Sequence, residues 1–177
     1  MRIPVIALAL SALLIGCQER QPVTAPATPA APVPPPSALH DAYLSVSTLT
    51  PEAGGTVVVA GTVGLGGSLS VASFVAHLDY DASALHFMNE IELPDMMRVV
   101  NPLAGQVIVA GASSTGSANG RLFKLRFRVD NPAGLGSLAL RVTELNDREF
   151  ISQLAAIKTS PALRLDPTLV STRLPPR

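Results

Sequence analysis

Gly120-Arg121-Leu122-Phe123-Lys124-Leu125-Arg126-Phe127-Arg128-Val129 carries the cleanest period in the chain. Phe123, Leu125, Phe127 and Val129 recur at every second position, and Lys124, Arg126 and Arg128 fill the gaps. Side chains of a strand point alternately to its two faces, so this stretch predicts a strand with an apolar inner face and a cationic outer one. Leu138, Leu140 and Val142 repeat the inward pattern, with Arg141 outward. Upstream, Val71 to Tyr80 turns Ala72, Phe74, Ala76, Leu78 and Tyr80 to one side and Ser73, Val75, His77 and Asp79 to the other.

The same reading extends across the chain from residue 40. Thr56 to Val63 is rich in β-branched residues and bounded by Gly54-Gly55 and Gly64. Ala84 to Met88 follows a short Asp81-Ala82-Ser83 turn, and Gln106 to Gly111 makes a short strand before a Gly/Ser-rich loop at Ser113 to Gly120. Short strands separated by Gly, Pro and Asn turns predict an all-β sandwich with one wet face per sheet. Only Asp147 to Lys158 has room for a helical turn or two. The sandwich is expected over residues 40–165, and 166–177, with Pro167, Pro175 and Pro176, as a disordered tail.

Composition agrees and narrows the function. Of 177 residues, 13 are Lys or Arg and 13 are Asp or Glu, so no basic excess points to nucleic acid. Apolar residues make up 47% and charged ones 15%, too apolar for a disordered chain, while 16 Pro and 13 Gly oppose a helical bundle. One cysteine excludes an intramolecular disulfide and a thiolate cluster for zinc.

That cysteine sits in an informative place. After Met1-Arg2, residues Ile3 to Gly16 form an almost unbroken apolar run of 14, the length of a signal-peptide core and short of a membrane span. The run closes on Leu14-Ile15-Gly16-Cys17, which resembles the lipobox of bacterial lipoproteins. The resemblance implies that residues 1–16 are a signal peptide and that Cys17 carries the acyl chains. It also implies an envelope location, with Gln18 rather than Asp after the cysteine favouring the outer membrane in a Gram-negative host. Residues 17–39 then make the anchor and a tether. Pro22, Pro26, Pro29, Pro32, Pro34, Pro35 and Pro36 favour extended geometry, so about 21 residues at ~3.1 Å each reach roughly 65 Å.

Four blocks of the sandwich together resemble the cohesin family. Ala53-Gly54-Gly55-Thr56-Val57-Val58-Val59 is similar to the family's small-Gly-x-Thr-Val entry. Ala72 to Phe87 is similar to its alternating strand closed by Tyr-Asp-Pro, here Tyr80-Asp81-Ala82. Gly120 to Val129 is similar to its Gly-x-Leu-Phe-x-Leu-x-Phe-x-Val strand, and Leu138 to Asp147 falls near its closing strands. The resemblance implies a jelly-roll β-sandwich of about nine strands that binds protein, without catalysis and without a cofactor. Family members bind dockerins, small helical modules with calcium-loaded loops, through one flat sheet face. The resemblance places that face on Val71–Asp79, Gln106–Gly111, Leu122–Val129 and one later strand. The outward residues Ser73, Val75, His77, Asp79, Lys124, Arg126 and Arg128 then form the expected partner-binding face. Dockerin-binding members carry Asn and Asp where this chain has Ser73 and Val75, and a Glu that falls near Ser113. A dockerin-like module or another envelope protein is therefore the expected partner.

Other chemistries find less support. Lys124, Arg126 and Arg128 read either as a patch for an acidic protein face or as a solvated face that keeps the sheet soluble. His77 has no nucleophile or second carboxylate spaced for catalysis, and His40 and His86 lack ligand spacing for a metal. Asp79 and Asp81 read as turn chemistry rather than a calcium site. Met96-Met97 is either a soft contact surface or a cap on the core. A carbohydrate-binding module is one alternative, but the chain has no Trp, and Tyr80 lies on the inward phase. The other is a structural subunit of an envelope secretion or pilus assembly.

Overall fold

The computed structural model describes residues 40–65 and 70–170; the signal-peptide, Cys17 and tether assignments, and residues 171–177, lie outside the described residues. The described chain is an all-β jelly-roll sandwich. Its strands are β1 (His40–Val46), β2 (Thr56–Val63), β3 (Val71–Asp79), β4 (Leu85–Glu90), β5 (Met97–Leu103), β6 (Gln106–Ser117), β7 (Arg121–Val129), β8 (Ala139–Asp147), β9 (Ile157–Thr159) and β10 (Arg164–Leu165). One sheet runs β10-β1-β2-β7-β4, with β9 also on β1; the other runs β5-β6-β3-β8.

The alternation in β7 is the spine of the first sheet. Phe123, Leu125, Phe127 and Val129 are fully buried, and β7 pairs with β2 on one side and β4 on the other. Across the sandwich, Phe74, Ala76 and Leu78 of β3 and Val107 and Val109 of β6 meet them in one core. Tyr80 and Phe87 both set ring edges against Phe127, at 5.1 and 5.8 Å between centroids. Among the described residues, the buried side chains run from His40 to Leu169, and both sheets contribute to one main core.

Three expectations need correcting. The Ser113–Gly120 segment is not all loop, because β6 continues to Ser117. A further strand, β5, begins at Met97; Met96 joins the core, whereas Met97 is 77% exposed. The sandwich also does not stop at residue 165. Pro167–Val170 forms a 3-10 turn, and Leu169, 1% exposed, packs on Val58, Ala60 and Ile91. Those β2 residues point away from the main core, so leaving them uncovered would hold apolar surface in water. Asp166 locks the turn by pairing with Arg121 at 3.1 Å and accepting the Thr168 amide at 3.0 Å.

Candidate partner-binding face

The pairing register writes out the outer face of the four-stranded sheet residue by residue. Residues directly opposite in an antiparallel pair share a face. Across β5, β6, β3 and β8 the outward rows are Met97-Ala112-Ser73-Asn146, then Val99-Ala110-Val75-Glu144. The next two are Asn101-Ile108-His77-Arg141 and Leu103-Gln106-Asp79-Ala139. Thr143 is the extra residue of a bulge in β8, and its hydroxyl donates to the Val75 carbonyl at 3.3 Å.

The face is divided along its length. Its β5–β6 side is apolar and open: Val99 is 66% and Leu103 47% exposed, beside Met97, Ile108 and Ala110. Its β8 side is polar. Glu144 Oε1 accepts from Ser73 Oγ at 3.3 Å and from Asn146 Nδ2 at 2.9 Å, and Asp79 accepts from Gln106 Nε2 at 2.6 Å. Arg141 has no ion-pair partner among the described residues. His77 lies between Ile108 and Arg141, its Nδ1 shielded and without a hydrogen-bond partner among the described residues.

One end of the face is walled. Asp147, mostly buried, organises the turn after β8: its Oδ1 accepts the amides of Glu149 at 3.0 Å and Ile151 at 2.9 Å, and its Oδ2 accepts Gln153 Nε2 at 2.7 Å. The turn holds Phe150 at φ 57, left-handed backbone that a Phe adopts only at a cost, with its ring 73% exposed. Phe150 and Met97 line a groove together with Ser73, Ala112 and Ser113.

The expected seven-residue face is thereby split. Ser73, Val75, His77 and Asp79 do share one surface. Lys124, Arg126 and Arg128 belong to β7, which the topology places in the opposite sheet, so they point out of the other side of the sandwich. There Arg128 pairs with Asp130 at 2.9 Å, and His86 Nε2 meets the same carboxylate at 2.7 Å. Burial lowers the Lys124 ammonium below its ordinary value, Arg121 lowers it further, and Asp166 opposes the shift. The residues that replace this trio, Met97, Val99, Leu103, Ile108 and Arg141, come from β5, β6 and β8. Alternation along β7 identifies its outward residues but carries nothing about which sheet β7 joins.

No three His, Cys, Asp or Glu side chains converge to hold a metal among the described residues. The Tyr80 hydroxyl donates to the Leu103 carbonyl at 3.1 Å, and Arg164 sits 3.7 Å over the Tyr43 ring. A sugar-stacking platform requires open ring faces, which leaves Phe150 as the one large aromatic exposure on this surface.

No family model and no curated protein matches the chain in sequence. Solved structures match it in shape. The sixth cohesin from scaffoldin B of Acetivibrio cellulolyticus, solved in complex with a Cel5 dockerin, superposes with a TM-score of 0.54 at 18% identity, covering 71% of this chain and 99% of that one. A non-cellulosomal cohesin from the archaeon Archaeoglobus fulgidus gives 0.53 at 19% identity, over 69% of this chain and 86% of that one. The OlpC cohesin of Clostridium thermocellum, in a cohesin–dockerin complex, gives 0.53 at 14%, over 70% and 90%. At such identities the likeness is one of architecture: this chain has a cohesin-like fold.

Proposed function

We propose that the chain is a protein-interaction module of the bacterial cell envelope, held by acyl chains on Cys17 and a proline-rich tether, that binds a protein partner through the outer face of β5-β6-β3-β8. The observation that carries this reading is the open apolar stripe Met97, Val99 and Leu103 on an ordered strand. Contiguous exposed apolar surface on a folded domain marks an interaction site. The opposite sheet contrasts with it at its centre, where Leu169 covers Val58 and Ala60 on the outer side. Cohesin structures of like fold were solved bound to dockerins, which supports a protein as the partner class.

The partner surface has a definable chemistry. It presents apolar side chains to β5 and β6 and polar groups to Arg141, Glu144 and Asn146. Val75 offers no hydrogen bond, so a dockerin-like partner engages this chain chiefly through apolar contact. The test is a pull-down from host envelope with residues 40–177 as bait, with and without a calcium chelator. Val99→Asp should lose the captured protein, whereas Arg126→Glu with Arg128→Glu should retain it. Loss in the second variant and not the first would overturn the face. Acylation is tested by mass spectrometry of the purified chain, where an unmodified Cys17 would remove the anchor from the reading.

A further inference from the structure

We infer that a second copy of this chain is an occupant of the outer face of β5-β6-β3-β8, in a two-fold dimer that pairs Arg141 of each copy with Glu144 of the other. The inference rests on the same exposed face as the proposed function and adds a partner to it.

The register decides how two such faces meet. For two sheets packed with their strands aligned, the two-fold axis between them runs along the strands or across them. An axis along the strands sets apolar β5 of one copy against charged β8 of the other, which desolvates Arg141 and Glu144 without partners. An axis across the strands sets β5 against β5 and β8 against β8, and reverses the order of the rows. Glu144, in the second row, then faces Arg141 of the second copy, in the third, and the symmetry makes this pair twice. Neither residue has an ion-pair partner within its own chain among the described residues. The same reversal sets Ala110 on Ile108, small against large, and Met97 on Leu103. Glu144 and Arg141 stand in the two rows that flank this axis, where two aligned sheets approach most closely.

Size sets the strength. Four strands at ~4.8 Å and four rows at ~6.8 Å make a face of roughly 500 Å² per copy, about 1,000 Å² in total, at the weak end for a specific interface. The dimer is therefore weak and transient. A weak dimer shields the β5 stripe from water and leaves the face open to a stronger competitor.

Sedimentation velocity on residues 35–177 across a concentration series tests this, with thermal unfolding confirming that each variant folds. The wild type should dimerise reversibly. Arg141→Glu and Glu144→Arg should each weaken the dimer by about tenfold or more, since each sets two like charges face to face. The double variant should recover it, and an equimolar mixture of the two single variants should form the heterodimer. A wild type that stays monomeric up to several hundred micromolar overturns the inference, including when the monomer binds a different protein. So does a dimer indifferent to Arg141→Glu, or a double variant without recovery. Sedimentation uses no other protein, so the dimer and the proposed envelope partner fail independently.

Discussion

The ring of Phe74 occupies the space where Gly111, its direct cross-strand partner, would carry a side chain: a Cβ built on Gly111 falls 2.2 Å from Cε1 and 2.8 Å from Cζ. Phe123 stands in the same relation to Gly61 in the other sheet, at 2.5 Å. Each sheet thus places a large ring over a glycine on the neighbouring strand, and the two rings build the core from both sides. Gly111→Ala should cost about 1–3 kcal/mol because the ring must leave its place in a packed interior. Gly136→Ala, with nothing within 4 Å of the added carbon, should change stability little. Urea unfolding of the two variants makes the comparison.

Arg98 fastens the loop before β5 to the start of β7. Its side chain is 2% exposed and donates to the carbonyls of Leu122 at 2.6 Å, Leu93 at 2.8 Å and Met96 at 3.0 Å, and to Asp95 at 2.9 Å. Arg98→Met removes the cation and keeps much of the volume, so the loss is that of a broken buried pair, about 3–5 kcal/mol. Chemical denaturation at neutral pH checks it.

Asp95 adds an acid signature. Burial pushes its carboxyl up, but the Ser117 hydroxyl and Arg98 outweigh burial and hold it below the ordinary value. A carboxyl depressed by folding stabilises above its unfolded pKa, and that stability is lost as pH falls through the folded value. Asp95→Asn should therefore be less stable than the wild type at pH 7. The gap should hold above about pH 4, the unfolded carboxyl's range, and narrow below it as pH falls through the depressed folded value. Melting curves from pH 7 down to 3 give the test.

Leu169 is the bolt of the C-terminal turn. Leu169→Ala should cost about 2–4 kcal/mol by opening a cavity over Val58 and Ala60. The loss should appear first as faster amide exchange at Asp166, whose amide donates to the Val46 carbonyl at 2.9 Å. Uniform exchange throughout the domain would count against a locally released strap.

Phe150→Gly should raise stability by about 1 kcal/mol, because glycine adopts the left-handed backbone at φ 57 without penalty and the lost ring is solvent-facing. The same variant should weaken partner capture if the ring grips the partner. Greater stability together with undiminished capture would make Phe150 incidental to binding.

The strands that alternate in the ordinary sense were legible in the sequence. β3, β7 and β8 put apolar residues inward and polar ones outward, and the structure buries Phe74, Leu78, Phe123, Leu125, Phe127 and Leu140 accordingly. β5 was not legible because its pattern is inverted. Met97, Val99 and Leu103 point to solvent with Asn101, while the inward phase carries Arg98 and Pro102 on either side of Val100. A periodicity argument has no means of separating such a strand from a loop, yet it is this strand that leaves apolar side chains open to solvent. The covered face of the first sheet did leave a signal. Val57-Val58-Val59-Ala60 is continuously apolar, as a strand buried on both sides must be, a signal that the expectation of one wet face per sheet passed over. Leu169 supplies the cover. The pairing of β3 with β6 and β8 rather than β7 is a long-range choice to which two-residue periodicity is blind.

The two short parallel strands on β1 bear on how this chain is made. Ile157–Thr159 and Arg164–Leu165 close the outer edge of β1, the first strand of the domain, with nearly its last residues. A chain that emerges from its amino end, on a ribosome or through a translocation channel, holds β1 with one edge open until residue 165 is clear. Pairings of such sequence separation form late and slowly. Closure of this sheet therefore waits for residue 165, and the open edge of β1 is the surface that a chaperone has reason to guard in the interval.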